Sequence, residues 1–184
     1  MTLTVTDQEK IEIVERHFQS ILETLGCDLA NPSLCDTPQR IAKMYVEELF
    51  SGLNPDNFPK ITYVHEGFEK GSLIQVKEIA VNSICEHHFL PFVGTAQISY
   101  LPNDKILGLS KFNRIVDYFC RRPQLQERLT AQIADCLCLL LDTNDVAVVI
   151  EAKHFCVTMR GAQDACSHTT TRVLRGHFSS HPVI

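Results

Sequence analysis

No stretch of this 184-residue chain is long and apolar enough to span a membrane as a helix. The longest runs, Cys136–Leu141 and Val146–Ile150, fall far short of ~18 residues. The N-terminus, MTLTVTDQEK, lacks both the basic flank and the apolar stretch of a secretory signal, so a cytoplasmic location is expected. Glycine and proline number only eight each, and no repeat or low-complexity segment occurs, which excludes collagen-like and disordered chains. Neither a Walker loop nor a GxGxxG is present, so a P-loop is excluded. Positive charge is also short. A net charge of -5 argues against a nucleic-acid coat or an anionic-membrane binder. The deficit is uneven: eight basic and fifteen acidic groups precede Ser110, whereas nine and seven follow from it. The later part therefore has room for a local anion site.

What is present fits one ordinary domain of ~100–200 residues. With 45% hydrophobic residues, a chain of this size buries roughly 70% of its unfolded surface and needs no disulfide staples. Eight cysteines in a reducing compartment then point to metal binding or catalysis rather than to bridges.

Thr6-Asp7-Gln8-Glu9 reads as a capping box ahead of a helix whose apolar face is Ile11, Val14, Phe18, Ile21, Leu22 and Leu25, with Gly26 as its stop. A second helix is expected from Thr37 as N-cap and Pro38 at the first helical position, with Ile41, Met44, Tyr45 and Leu49 as its stripe. After a proline-bearing loop the period changes. Leu73–Asn82 and Phe92–Tyr100 are β-rich runs, Ser110 to about Arg122 and Gln124–Leu141 are helical patterns, and Val146–Val157 and Thr169–Phe178 are strands again. The expected architecture is α+β, a ββααββ unit with a mainly antiparallel sheet preceded by two N-terminal helices. The division is a helical segment over 1–60 and a core over 61–184, forming one compact domain.

Chemistry concentrates in two segments. In Cys85-Glu86-His87-His88, a thiolate and an imidazole three residues apart can reach one ion. In His154-Phe155-Cys156, strand alternation would send His154 and Cys156 to the same face. Should the segments meet, Cys85, His88 and Cys156 make a Cys₂His set that leaves an open position, the pattern of a catalytic zinc. His87 and His154 are then spare imidazoles suited to proton transfer. A lone C-x-x-H also occurs where cysteines are buried as small hydrophobes, so spacing alone leaves both readings standing. Cys120, Cys136 and Cys138 lie on or near apolar helix faces and read as core. Lys111 and Arg114 share a face near a helix start that Ser110 would cap, and Arg40 with Lys43 repeats the spacing. Such pairs suit phosphate but equally make a solvated face. Gln126-Glu127 is, taken alone, two polar residues at a helix start.

Six segments together resemble the GTP cyclohydrolase I family: TPQRIAKMY (37–45), ICEHHFLPFVG (84–94), LGLSKFNRIV (107–116), RRPQLQERLTAQI (121–133), EAKHFCVTMRG (151–161) and SHTTT (167–171). They run in family order through most of the chain. The resemblance implies the tunnelling fold, itself a ββααββ unit, and one Zn2+ per subunit on Cys85, His88 and Cys156. It implies His87 and His154 as catalytic histidines, with Ser110 assisting later steps. Gln126 and Glu127 would read guanine, while Arg40, Lys43, Lys111, Arg114 and Arg160 would bind the triphosphate. The implied reaction opens the guanine of GTP at C8, with His154 as the acid at N7, and yields formate and 7,8-dihydroneopterin triphosphate. The implied assembly is a homodecamer of two stacked pentamers with active sites at subunit boundaries.

Only six residues follow Phe178, so a C-terminal helix common in the family is expected to be missing or short. The N-terminus lacks the extension of animal enzymes, so no dedicated regulatory protein is expected. A zinc-stabilised scaffold without activity is disfavoured because His87, His154, Glu127 and the cations are all retained. Relatives with nitrile-reductase activity are disfavoured by the complete Cys85/His88/Cys156 set.

Overall fold

The computed structural model describes residues 5–182; residues 1–4 and 183–184, the outer ends of the two expected segments, lie outside the described residues. No described helix is long and apolar enough to cross a membrane. Helix α1 spans Asp7–Thr24, and the expected capping box is formed: the Thr6 hydroxyl accepts from the Glu9 N–H while the Glu9 carboxylate accepts from the Thr6 N–H. Such a cap is worth ~1 kcal/mol. Of its apolar face only Ile11 is fully buried, whereas Ile21 and Leu25 are 47% and 73% exposed. Helix α2 spans Thr37–Lys43 and continues into a π-helical turn over Met44–Leu49. Its N-cap is Asp36, not Thr37 as expected, because the Thr37 N–H already donates to the Leu34 carbonyl within the preceding turn.

Strand β1 (Tyr63–Val64) pairs with β4 (Ile106–Leu107) in a small two-stranded ladder. The main sheet contains β2 (Ile74–Cys85), β3 (Pro91–Tyr100), β5 (Pro123–Gln124), β6 (Val146–His154) and β7 (Thr169–Leu174). Its order is β5-β2-β3-β6-β7, antiparallel throughout except for the short parallel β2/β5 pair. A bulge between Val76 and Ile79, with Glu78 at φ 56°, resets β2 so that Ile79, Val81 and Ser83 all face inward.

Helix α3 (Ser110–Cys120) buries Phe112, Ile115, Val116 and Cys120 and packs against β2. Helix α4 (Gln126–Leu141) buries Leu129, Ile133, Ala134, Leu137 and Leu141 and packs against β6 and β7. The order β2-β3-α3-α4-β6-β7 is the expected ββααββ unit of the tunnelling fold, and one core lies between its helices and its sheet. Cys120 is part of that core, and burial pushes its thiol up to about 12.

Further boundaries differ from expectation. Ser110 is not a cap: the chain winds into α3 from Gly108, Leu109 takes the N-cap position, and no side chain caps the helix. Helix α4 begins at Gln126 because Pro123–Gln124 is drawn into the sheet beside β2. The last strand ends at Leu174, and Gly176–Ser179 forms a 3₁₀ turn.

Candidate active site

Three elements bring the expected ligands together. The β2–β3 hairpin closes through a tight turn in which the Cys85 N–H donates to the Leu90 carbonyl and the Phe89 N–H to the Cys85 carbonyl. Phe89 takes a positive φ of 53° to close that turn, and Cys85 and His88 end on one side of it. The third residue arrives from β6, but not by strand alternation as expected. The β6 ladder ends at the Phe92↔His154 pair, because β3 begins one residue earlier at Pro91. Without a partner strand the chain coils into a helical turn, α5 (Phe155–Thr158), fastened by the Thr158 hydroxyl donating to the His154 carbonyl. Cys156 therefore reaches the hairpin from a helical turn.

The donor atoms of Cys85, His88 and Cys156 all lie within 4.8 Å of one another. Two thiols and one imidazole suit zinc, whose bonds of ~2.0–2.3 Å bridge such a span with small side-chain rotations. Burial pushes the Cys156 thiol up, and the neighbouring Cys85 pushes it further. A cation between the two sulfurs would relieve that penalty by favouring the thiolates. The Arg160 guanidinium, which has no lone pair to offer, donates to His88 Nε2 at 2.9 Å.

His154 is held on two sides. It stacks on the fully buried Phe92, with ring centroids 4.7 Å apart and planes 10° from parallel. Its Nε2 lies 2.7 Å from Gln126 Oε1. Burial lowers its pKa, against a smaller opposing pull from the Glu127 carboxylate. Glu127 itself is exposed in the first turn of α4, where a carboxylate also complements the helix dipole. Gln126 is the other member of the pair expected to read the purine. It is 1% exposed, and its amide nitrogen contacts the Ile150 carbonyl, the Thr169 carbonyl and the Thr171 hydroxyl, leaving no free N–H for a ligand.

His87 is exposed, 3.9 Å from the Glu86 carboxylate, which is also paired with Arg128. Among the cations, Arg160 alone is joined by a hydrogen bond to the Cys85–His88–Cys156 group in the described residues. Arg40 is engaged with Asp36 on α2, Lys43 is exposed on the same helix, and Lys111 and Arg114 lie in the first turns of α3 beside the exposed Ser110. Sequence reasoning did not find Phe92 as a support for His154. Its only sequence signal was membership of the 84–94 segment.

The chain matches the family model described as GTP cyclohydrolase I over residues 14–183. It is 52% identical over 177 residues to a protein named GTP cyclohydrolase 1 from Vibrio cholerae serotype O1, covering 96% of this chain and 82% of that one. It is likewise 52% identical over 175 residues to the protein of that name from Aeromonas hydrophila subsp. hydrophila, covering 95% of this chain and 80% of that one. Among solved structures, an archaeosine synthase QueF-Like in the apo form matches with TM-score 0.48 and 16% identity, over 57% of this chain and 94% of its own.

Proposed function

The chain belongs to the GTP cyclohydrolase I family, and on that premise we propose that it hydrolyses the guanine ring of GTP at C8, releasing formate and giving 7,8-dihydroneopterin triphosphate. The observation that carries this reading is the convergence of Cys85, His88 and Cys156 beside a clamped His154, in a chain 52% identical to its relatives. Cys85, His88 and Cys156 would hold one Zn2+ per subunit. Bound there, zinc would supply the Lewis acidity that makes water a nucleophile near neutral pH.

The remaining chemistry falls to the chain's own side chains. The Glu127 carboxylate accepts hydrogen bonds from N1–H and the 2-amino group of guanine. Adenine lacks both donors and would leave that carboxylate unpaired, so it is rejected. Arg40, Lys43, Lys111, Arg114 and Arg160 offset the charge of the triphosphate and fix the purine over the ligand cluster. His154 gives a proton to N7 as the C8–N bond opens, and its burial-lowered pKa makes that proton easier to release. His87, exposed beside the cluster, assists proton transfer in the second hydrolysis that frees formate. The Ser110 hydroxyl assists the ribose rearrangement before the ring recloses.

The assembly is a homodecamer with sites completed at subunit boundaries. Exposed apolar residues, among them Leu109 at 71%, Leu139 at 81% and Leu25 at 73%, favour burial against further copies. The separation of the α2 and α3 cations from the ligand cluster's hydrogen bonds suits a site shared between chains. The reading is tested by incubating zinc-loaded protein with GTP, and with ATP as control. Equal amounts of formate and dihydroneopterin triphosphate from GTP alone are expected. Absence of both products with zinc bound and the oligomer intact would refute it.

A further inference from the structure

We infer that Gln126 is a positioning residue which keeps a hydrogen on His154 Nε2, so that Nδ1 is the nitrogen left to take up a proton and hand it to the substrate. The direction of every bond in the surrounding network follows from chemistry. Gln126 Nε2 lies 3.1 Å from the Ile150 carbonyl oxygen and 2.9 Å from that of Thr169, and carbonyl oxygens only accept. Turning the amide over would set Oε1 against both of them, three acceptors with no hydrogen between them in a buried site. The amide orientation is therefore fixed, and Oε1 is the atom that faces His154 at 2.7 Å. An amide oxygen cannot donate, so His154 Nε2 must carry the hydrogen.

A second chain of bonds supports the first. The Thr130 hydroxyl donates its only hydrogen to the Gln126 main-chain carbonyl at 2.7 Å. The 2.6 Å contact between Thr130 and Thr171 must then be donated by Thr171, leaving the Thr171 oxygen lone pairs to face the Gln126 amide. The amide is thus pinned by β6, β7 and its own helix. Phe92, stacked beneath the imidazole, removes the remaining freedom of tilt. The arrangement explains why a glutamine at a helix start is 1% exposed while its neighbour Glu127 faces solvent. It also divides the labour of the Gln126-Glu127 pair: Glu127 meets the purine, and Gln126 holds the acid.

The tautomer can be read without turnover. Full-length, zinc-loaded protein labelled with 15N at histidine is observed by long-range 1H–15N correlation, and His154 is identified by its loss in His154→Ala. At a pH where His154 is neutral, wild type should show a single tautomer, protonated on Nε2, and Gln126→Leu should show mixed tautomers. An Nδ1-protonated His154 in wild type overturns the inference before any variant is made. An unchanged tautomer in a folded Gln126→Leu overturns it as well. The kinetic arm rests on the proposed GTP reaction. There Gln126→Leu should lower kcat ~10²-fold or more with KM for GTP within about threefold, the loss expected when a general acid is misaligned. A tenfold rise in KM at unchanged kcat, with weaker preference for GTP over ITP, would show a purine reader instead. If wild type does not turn over GTP, the proposed reaction fails while the tautomer spectrum still decides the role of Gln126.

Discussion

Gly94→Ala tests whether the ladder joining the two halves of the site is as tight as the structure requires. Gly94 on β3 lies opposite Ala152 on β6. A Cβ at position 94 would sit 1.9 Å from the Glu151 carbonyl oxygen and 2.6 Å from the Ala152 Cα, where ordinary contact begins at 3.4 Å. Both obstacles are backbone and cannot swing aside, so the strands must part by more than an ångström. Overpacking of this kind costs ~1–3 kcal/mol. Two ladder hydrogen bonds weakened beside it add ~1 kcal/mol each, giving about 3–5 kcal/mol from a typical total of ~5–15. With a urea slope of ~2 kcal/mol/M the unfolding midpoint should fall by about 1.5–2.5 M at fixed protein concentration. The site should suffer too. The β2–β3 hairpin carries Cys85 and His88, while β6 runs into Cys156, so the substitution separates the ligands across the strand pair it opens. Zinc affinity, measured by competition with a chromophoric chelator, should drop at least ~10-fold, since zinc bonds of ~2.0–2.3 Å tolerate little displacement. Gly67→Ala is the control: its Cβ meets nothing within 4 Å, and at φ +82° it carries only the left-handed strain of ~1 kcal/mol. A Gly94→Ala protein with the wild-type urea midpoint and zinc affinity would refute the reasoning.

Cys156→Ser should lose both zinc and turnover, whereas His154→Ala should keep wild-type zinc content and lose at least ~10² in kcat; full activity in the latter removes His154 as the acid. Glu127→Ala should raise KM for GTP and weaken the preference for GTP over ATP, and unchanged discrimination would mean that the purine is read elsewhere. The Cys120 thiol, raised by burial and then by the Asp117 charge from 9.0 to about 12, should resist iodoacetamide at pH 8 in the folded protein and react fully in urea. Because its folded value is the higher one, the stability it supports is complete below pH 9 and is lost as pH rises toward 12. The limit is about 4 kcal/mol, and Cys120→Ala should flatten the stability curve over that range.

The order of the fold was legible wherever one periodicity ran long enough to bury a face. Phe112, Ile115 and Val116 on α3, and Leu129, Ile133 and Leu137 on α4, repeat at helical spacing and are all fully buried. The Thr6–Glu9 box was legible because it is a local exchange of hydrogen bonds, decided by residues three apart. Element ends were not, because they are set by partners distant in sequence. Thr37 resembles a cap until the Leu34 carbonyl takes its N–H, and Gln124 belongs to a helical pattern until β2 recruits it with Pro123 into the sheet. The bulge at Glu78 shows no signal in composition, since a glutamate at positive φ obeys no local preference.

The same distinction governs the site. Cys85 and His88 are neighbours in sequence, and their shared turn could be read from spacing. The approach of Cys156 could not, because alternation assumes a strand that continues. Strand β6 stops at His154 for a reason located sixty residues earlier, where Pro91 begins β3 and leaves nothing beyond Phe92 to pair with. That stop sets two features of the site together. It turns the chain into the helical coil that delivers Cys156, and it leaves His154 as the last paired residue, stacked on its cross-strand partner Phe92. Gln126 is the harder case, since a polar residue at a helix start is expected to face water or ligand. Its inward turn is decided by the Ile150 and Thr169 carbonyl oxygens of β6 and β7, which only the assembled sheet brings together where one amide can donate to both. A buried amide with every N–H engaged costs little, whereas any apolar replacement would remove these bonds together with the one that holds the ring of His154. The residue type at position 126 is thus dictated by tertiary geometry, and its consequence falls on the orientation of the neighbouring acid.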